Sequence, residues 1–374
     1  MSGDHDSIVR RVEMAIDAFK KGRMVIMTDD ESRENEGDLV IAATDATPEA
    51  VNFMATHGRG LICLSLSGAI VDKLELGMME DRGKHGAPLQ TAFTVSIEAR
   101  KGVTTGISAA DRSHTIQLAM EEGSCPGDFV VPGHVFPLRA KSGGVLERAG
   151  HTEGSVDLAR LSGKKPGAVI CEIMSADGTM ARRPELEEFG KRYEIPLVSI
   201  EDLIHYRLRC EQLVKLKSAR EVSTSQGQLF EYCFENLIDG MPHIVWTNFD
   251  AEAGGEYTAD VRVHKQCPLD DLLAVRQGAV TPVSPLRYGF DLLHSQEPAV
   301  LVYLFQQDFQ QSLRAELARE PFVEDPKVYG TGAQILRALG VGKMRLHVRK
   351  KPSLIGLHGF GLEVVDHILM ESCL

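Results

Sequence analysis

The chain of 374 residues lacks several things that would place it at once. It has no C-x-x-C pair, and its seven cysteines, at 63, 125, 171, 210, 233, 267 and 373, are odd in number and widely spaced. That excludes a dense disulfide framework and fits a reducing cytoplasm. No apolar run approaches the length of a membrane span. The start, Met1-Ser2-Gly3-Asp4-His5-Asp6, is polar and acidic, unlike a secretory leader. Heptads, internal repeats and low-complexity tracts are absent. Cations are in deficit: 41 Lys and Arg against 53 Asp and Glu give a net charge of −12. A nucleic-acid partner is therefore not expected. A phosphorylated metabolite stays open, because one local group of Arg and Thr suffices to hold it.

What is present reads as a globular protein of two or three domains, with 43% hydrophobic and 25% charged residues. One stretch stands out. Thr28 to Asp38 holds six carboxylates, Asp29, Asp30, Glu31, Glu34, Glu36 and Asp38, with a single cation, Arg33. It lies between the apolar runs Met24-Val25-Ile26-Met27 and Leu39-Val40-Ile41-Ala42-Ala43. Short apolar runs bounded by turn residues fit strands, so the acids occupy a loop between two buried strands. Taken alone, the run is compatible with a plain solvated loop. Crowded carboxylates also suit a divalent cation such as Mg²⁺, which takes one or two of them and keeps positions for water and substrate. Gly37 is expected to supply a positive φ and the sharp turn that lets the acids converge.

Before this loop, Ile8, Val12, Ala15, Ile16 and Phe19 form one face of an amphipathic helix capped by Asp6 or Ser7. Thr47-Pro48-Glu49 opens a second helix, with Thr as N-cap and Pro in the first turn. Leu61 to Leu66 is a strand with Cys63 in the core, and Phe93 to Ala99 is another. Gly77 to Thr91 reads as a mobile loop. Ser108 and Asp111 make an S-x-x-D capping box. His134 is expected in a turn between apolar residues. Arg148-Ala149-Gly150-His151-Thr152-Glu153 precedes a helix over 156–161 and offers a guanidinium fork, a hydroxyl and a helix N-terminus to an anion. His151 offers a neutral ring nitrogen to a metal. Glu172 stands in the apolar strand Ala168 to Met174, where an unpaired charge is costly. Leu203 to Leu216 reads as a charged helix.

Four of these segments together resemble the motifs of the 3,4-dihydroxy-2-butanone 4-phosphate synthase family of riboflavin biosynthesis. They are Arg33-Glu34-Asn35-Glu36-Gly37-Asp38-Leu39, Gly133-His134-Val135-Phe136-Pro137-Leu138, Arg148 to Glu153 and Cys171-Glu172. The resemblance implies an α/β fold with a mixed sheet between helical layers, working as a homodimer. It implies the substrate D-ribulose 5-phosphate, with the butanone phosphate and formate as products. It also implies two Mg²⁺ or Mn²⁺ ions held by Glu34 and His151. Substrate contacts would fall to Arg33, Glu34, Asp38, Arg148, Ala149, Gly150, His151, Thr152 and Glu172. His134 and Glu172 would be the catalytic acid–base groups.

The domains are expected at 1–205 and 222–374, with a linker over 206–221. The second half resembles GTP cyclohydrolase II, in Ala259 to Cys267, Tyr329 to Val341, Met344-Arg345-Leu346 and Ile355 to Gly361. That family holds zinc through three clustered cysteines. Here Cys267 is followed by none from Pro268 to Tyr288, so no zinc is expected. The stretch Gln306 to Leu313 lacks the family's glycines and arginine. The second domain is therefore expected to have lost cyclohydrolase activity. Two rivals remain: a bifunctional enzyme with zinc on His264 and Cys267, and a non-catalytic binding or regulatory protein. Bound zinc or GTP turnover marks the first, and absence of formate release marks the second.

Overall fold

The apolar runs of the first half are too short for helices and alternate with amphipathic segments, so they assemble as one covered sheet. In the computed structural model, described for residues 2–31, 33–79, 91–224, 227–273, 284–306, 309–318, 326–349 and 360–370, the chain divides into two units, Met1–Tyr206 and Arg207–Leu374.

The elements of the first unit are α1 (Ser2–Lys20), β1 (Val25–Thr28), β2 (Gly37–Ala42), α2 (Pro48–Phe53), β3 (Cys63–Leu66), α3 (Gly68–Lys73), β4 (Ile97–Ala99), α4 (Ala109–Met120), β5 (Phe129–Arg139), α5 (His151–Leu161), β6 (Gly167–Glu172), α6 (Arg183–Tyr193), β7 (Leu197–Ser199) and α7 (Ile200–Cys210). The strands lie in the order β4-β5-β3-β6-β2-β1-β7. The sheet is mixed: β3 runs parallel to β5 and β1 to β7, while the central pairs β3·β6, β6·β2 and β2·β1 are antiparallel. Helix α5 lies across β1, β2, β3 and β6, and α1 packs on α5 and β7. Leu39, Ile41, Leu64, Leu66, Val169 and Cys171 pack with Val51, Met54, Ile116 and Leu186, from α2 and its continuation, α4 and α6. The α/β fold with a sheet between helical layers is thus observed.

Local chemistry explains the element starts. Ala50 N–H donates to Thr47 Oγ1 at 3.2 Å, and Asp111 N–H to Ser108 Oγ at 3.0 Å. Val12, Ala15, Ile16 and Phe19 are buried along α1. Four expectations need correction. Gly37 has no positive φ; Asn35 takes the left-handed turn (φ 55°), and Gly37 packs against Leu186, whose Cδ1 would lie 2.5 Å from a Cβ there. His134 lies within strand β5, not in a turn. Helix α5 begins at His151, five residues earlier than the expected 156, so the loop carrying the imidazole is already helical. Of Phe93 to Ala99 only β4 is continuous strand, with isolated bridges at Phe93 and Thr94. Most of the Gly77 to Thr91 loop lies outside the described residues.

The second unit holds β8 (Val214–Thr224), β9 (Gly227–Asn236), β10 (Pro242–Thr247), β11 (Tyr257–Lys265), α8 (Pro268–Leu273), α9 (Pro285–Leu292), β12 (Ala299–Leu304), α10 (Phe309–Ala318), α11 (Pro326–Ala338), β13 (Val341–Val348) and β14 (Glu363–Leu369). Its sheet has the order β14-β13-β11-β12-β10-β9-β8. The expected helix over 203–216 ends at Cys210, and the expected linker over 206–221 carries the end of α7 and most of β8 instead. The reason is pairing: β8, exposed along most of its length, is held as a strand by its antiparallel ladder with β9, a partner later in the chain.

Candidate active site

The site starts from the β1–β2 hairpin. Asp29 organises the acidic loop by accepting Glu36 N–H (2.9 Å) and Glu34 N–H (3.0 Å) and by pairing with Arg33 Nη1 (2.8 Å). The same Arg33 nitrogen donates to Glu34 Oε2 at 2.7 Å. From α6's N-terminus, Arg182 donates to the carbonyls of Glu34 (3.1 Å) and Asn35. The loop therefore has a fixed shape that turns the Glu34 carboxylate toward α5.

On α5, His151 is buried, and its Nδ1 lies 3.4 Å from Glu34 Oε2. Ligand atoms of Asp29, Glu34 and His151 all lie within 4.8 Å of one another. Asp38 and Glu172 are register partners on β2 and β6, so their side chains share one sheet face. Leu61 N–H donates to Glu172 Oε2 at 2.8 Å. The sheet thus carries two carboxylates side by side, and the loop and helix bring a third carboxylate and an imidazole to them.

The electrostatics follow from that crowding. The Glu34 carboxyl is lowered to about 2 by its hydrogen bond to His151, with burial opposing and the Arg33 charge assisting. Burial alone would lower His151, but the charge of Asp38 and the bond to Glu34 raise it to about 9. Asp38 is raised to about 7 by burial, against the nearby imidazolium and with help from Glu172 and Glu34. Burial, then Glu172 and Asp38, push the Cys63 thiol far above its usual range, so it stays protonated core.

The donor set fits a small divalent cation. Carboxylate oxygens and one imidazole suit Mg²⁺ or Mn²⁺. Among the described residues His151 Nε2 is buried without a hydrogen-bond partner, a costly arrangement unless the ring has another use.

Arg148 donates to Glu153 Oε2 (2.6 Å) and Thr91 Oγ1 (3.1 Å). Ala149 and Gly150 lead into α5, where Thr152 is buried. His134 is on β5, which β3 separates from β6, so at about 4.8 Å per strand it lies roughly 10 Å from the Glu172 strand. Sequence reasoning counted Asp29 among the acids without assigning it a task, and it missed Arg182 and Glu98. No local signal marks those two, since each acts through residues distant in the chain.

Residues 13–206 match the family described as 3,4-dihydroxy-2-butanone 4-phosphate synthase. The chain belongs to that family. Residues 215–369 match GTP cyclohydrolase II. The riboflavin biosynthesis protein RibBA of Aquifex aeolicus is 43% identical over 380 residues, covering 96% of this chain and 91% of that protein. The crystal structure of RibBX, a two-domain 3,4-dihydroxy-2-butanone 4-phosphate synthase from A. baumannii, is 41% identical and superposes with a TM-score of 0.78, covering 96% of this chain and 99% of that one. A 3,4-dihydroxy-2-butanone 4-phosphate synthase in complex with two magnesium ions is also 41% identical, with a TM-score of 0.51, covering 53% of this chain and 97% of that one.

In the second unit, Asp271 joins His264 Nε2 (2.8 Å), Tyr303 Oη (2.8 Å) and Cys267 N–H (2.9 Å). Among the described residues, Cys267 belongs to no group of three converging metal ligands. Most of Ile355 to Gly361 lies outside the described residues. No described helix is long and apolar enough to cross a membrane.

Proposed function

We propose that the first unit, as a lyase, converts D-ribulose 5-phosphate to 3,4-dihydroxy-2-butanone 4-phosphate and formate, using the residues around Glu34 and His151. Atoms balance: a five-carbon ketose phosphate divides into a four-carbon ketone phosphate and formate with no net water. The convergence of Glu34 and His151, 3.4 Å apart, beside the paired Asp38 and Glu172 carries this reading.

Glu34 and His151, with Asp29 beside them, would hold Mg²⁺ or Mn²⁺, two ions per site by likeness to the magnesium-bound relative. The ions, when bound, supply Lewis-acid stabilisation of charge on the sugar's oxygens. The protein's own groups do the rest. Asp38, buried beside the Glu34–His151 pair and next to Glu172, is a candidate to take a proton beside the carbonyl. Glu172, held by Leu61 N–H, serves as the second acid–base group. Arg33 orients substrate, and His134 completes the set. Arg148, with Ala149, Gly150 and Thr152 at the start of α5, takes the phosphate in exchange for part of its pairing with Glu153. A homodimer is proposed as the working form, and light scattering of the full chain checks it. A reducing, cytoplasmic setting is proposed as well, supported by the odd number and wide spacing of the cysteines.

The test is formate release from ribulose 5-phosphate. Glu172→Ala and His134→Ala should abolish it without unfolding the chain, and full activity in either removes that residue from the mechanism. EDTA should stop turnover and Mg²⁺ restore it. For the second unit we propose that cyclohydrolase activity is gone. Support comes from the sequence, in which no second cysteine follows Cys267 from Pro268 to Tyr288. Stoichiometric zinc or GTP turnover would reverse that reading.

A further inference from the structure

One contact of the catalytic histidine is not explained by the reaction as laid out above. His134 Nδ1 meets Glu98 Oε2 at 2.5 Å, across 36 residues of sequence. The contact depends on a break in the β4–β5 ladder. Ile97 pairs with Val135 but Glu98 pairs with Val130, so residues 131 to 134 are accommodated opposite one peptide bond. A bulge of this kind re-aims the side chains it carries. Two features pin it. Gly133 N–H donates to Ser96 Oγ at 3.1 Å, and a Cβ at Gly133 would collide with the Ile97 carbonyl.

The Glu98 carboxylate is itself backed by a built wall. Gly106 (φ 85°) lies so close that an added Cβ would fall inside that carboxylate. Gly106 is held there by Asp111, which accepts Gly106 N–H (3.0 Å), Thr104 N–H (3.1 Å) and Thr104 Oγ1–H (2.7 Å). Asp111, whose own N–H donates to the N-cap Ser108, thus fixes the loop with its carboxylate instead of closing the expected capping box; the loop confines Glu98, and Glu98 faces His134. Nothing else in the described contacts of Glu98 requires this arrangement.

We propose that Glu98 is a positioning residue for His134. With a carboxylate on Nδ1, that nitrogen carries the proton, and Nε2 is left as the acid–base atom. The carboxylate also stabilises the imidazolium formed when Nε2 accepts a proton, as a carboxylate does in other His-based sites. The inference rests on the proposed catalytic role of His134 and names what makes that role possible.

The full-length chain, assayed by formate release with Mg²⁺ present, tests it. Glu98→Ala should lower kcat by roughly 10²-fold, the scale of one acid–base group, with KM little changed. Glu98→Gln, which still accepts from Nδ1–H but carries no charge, should recover part of that loss. Nitrogen NMR of His134 should show a single Nδ1–H tautomer in the wild type and a mixture in Glu98→Ala. Glu98→Ala at wild-type kcat, or an unchanged tautomer, overturns the inference while leaving His134 in place. Wild-type activity of His134→Ala instead removes the catalytic role itself.

Discussion

Gly60→Ala is the sharpest probe of the site, because the substitution adds one methyl and changes no charge. A Cβ at Gly60 would meet the Glu172 carboxylate and would sit 2.6 Å from the Glu172 carbonyl oxygen and 2.7 Å from its nitrogen. Ordinary contact begins at 3.4 Å, so the Glu172 backbone must retreat from 2.6 to 3.4 Å, about 0.8 Å. A flexible side-chain tip yields to such a contact, but backbone in a six-residue buried strand does not yield freely. Overpacking of this kind costs about 1–3 kcal/mol of stability. The Leu61 N–H···Glu172 bond, 2.8 Å in the native chain, is also strained. A displacement near 1 Å at a reacting group costs roughly 10²-fold in rate. The expected outcome is a fall of that order in kcat for formate release, with a lowered melting temperature. Gly123→Ala is the control: nothing lies within 4 Å of its Cβ and its φ is not positive. It should leave kcat unchanged and gain about 0.4–1 kcal/mol through the unfolded chain. Wild-type kcat in folded Gly60→Ala would refute the placement of Glu172 at the reacting centre.

Further outcomes follow from the same geometry. Mg²⁺ should bind more tightly as pH rises from 7 toward 9, because a metal must displace the proton that Asp38 and Glu34 hold on His151, whose pKa is about 9; calorimetry at pH 7 in buffers of different ionisation enthalpy should register proton release, and its absence would contradict ligation by His151. Asn35→Val should destabilise the chain by about 1–2 kcal/mol, since a β-branched residue is forced to φ 55°, while Asn35→Gly should be tolerated; chemical denaturation measures both. Arg11→Ala removes bonds of 2.6 and 3.0 Å to buried Asp202 and should cost about 1–3 kcal/mol at pH 7. Burial opposes the lowering of Asp202, but Arg11 and Ser199 N–H prevail. The folded pKa is depressed, so this stabilisation is present above the ordinary carboxylate pKa near 3.8 and is lost as pH falls through the folded value. The wild-type and Arg11→Ala stability curves should therefore converge in acid, and parallel curves would sink the argument.

Much of the site was legible from residue order alone. A run such as T-D-D-E-S-R-E-N-E-G-D between two apolar strands marks an acidic loop that taken alone also fits a plain solvated turn, whereas Glu172 in an apolar strand is costly enough to notice. Cap chemistry at Thr47 and Ser108 is local, so it could be read directly. Tertiary structure decided what depends on partners far along the chain. Gly37 serves packing against Leu186 and not a turn, because the helix that crowds it begins some 150 residues later. Strand β8 replaces an expected helix and linker because β9 pairs with it. Asp38 and Glu172 share a face only through the β2–β6 register, and Glu98 reaches His134 only through a bulge. The sequence by itself determined which groups are available, because charge, apolar runs and caps are properties of neighbours. The fold decided which groups meet, because strand register and helix placement are set by burial summed over the whole unit.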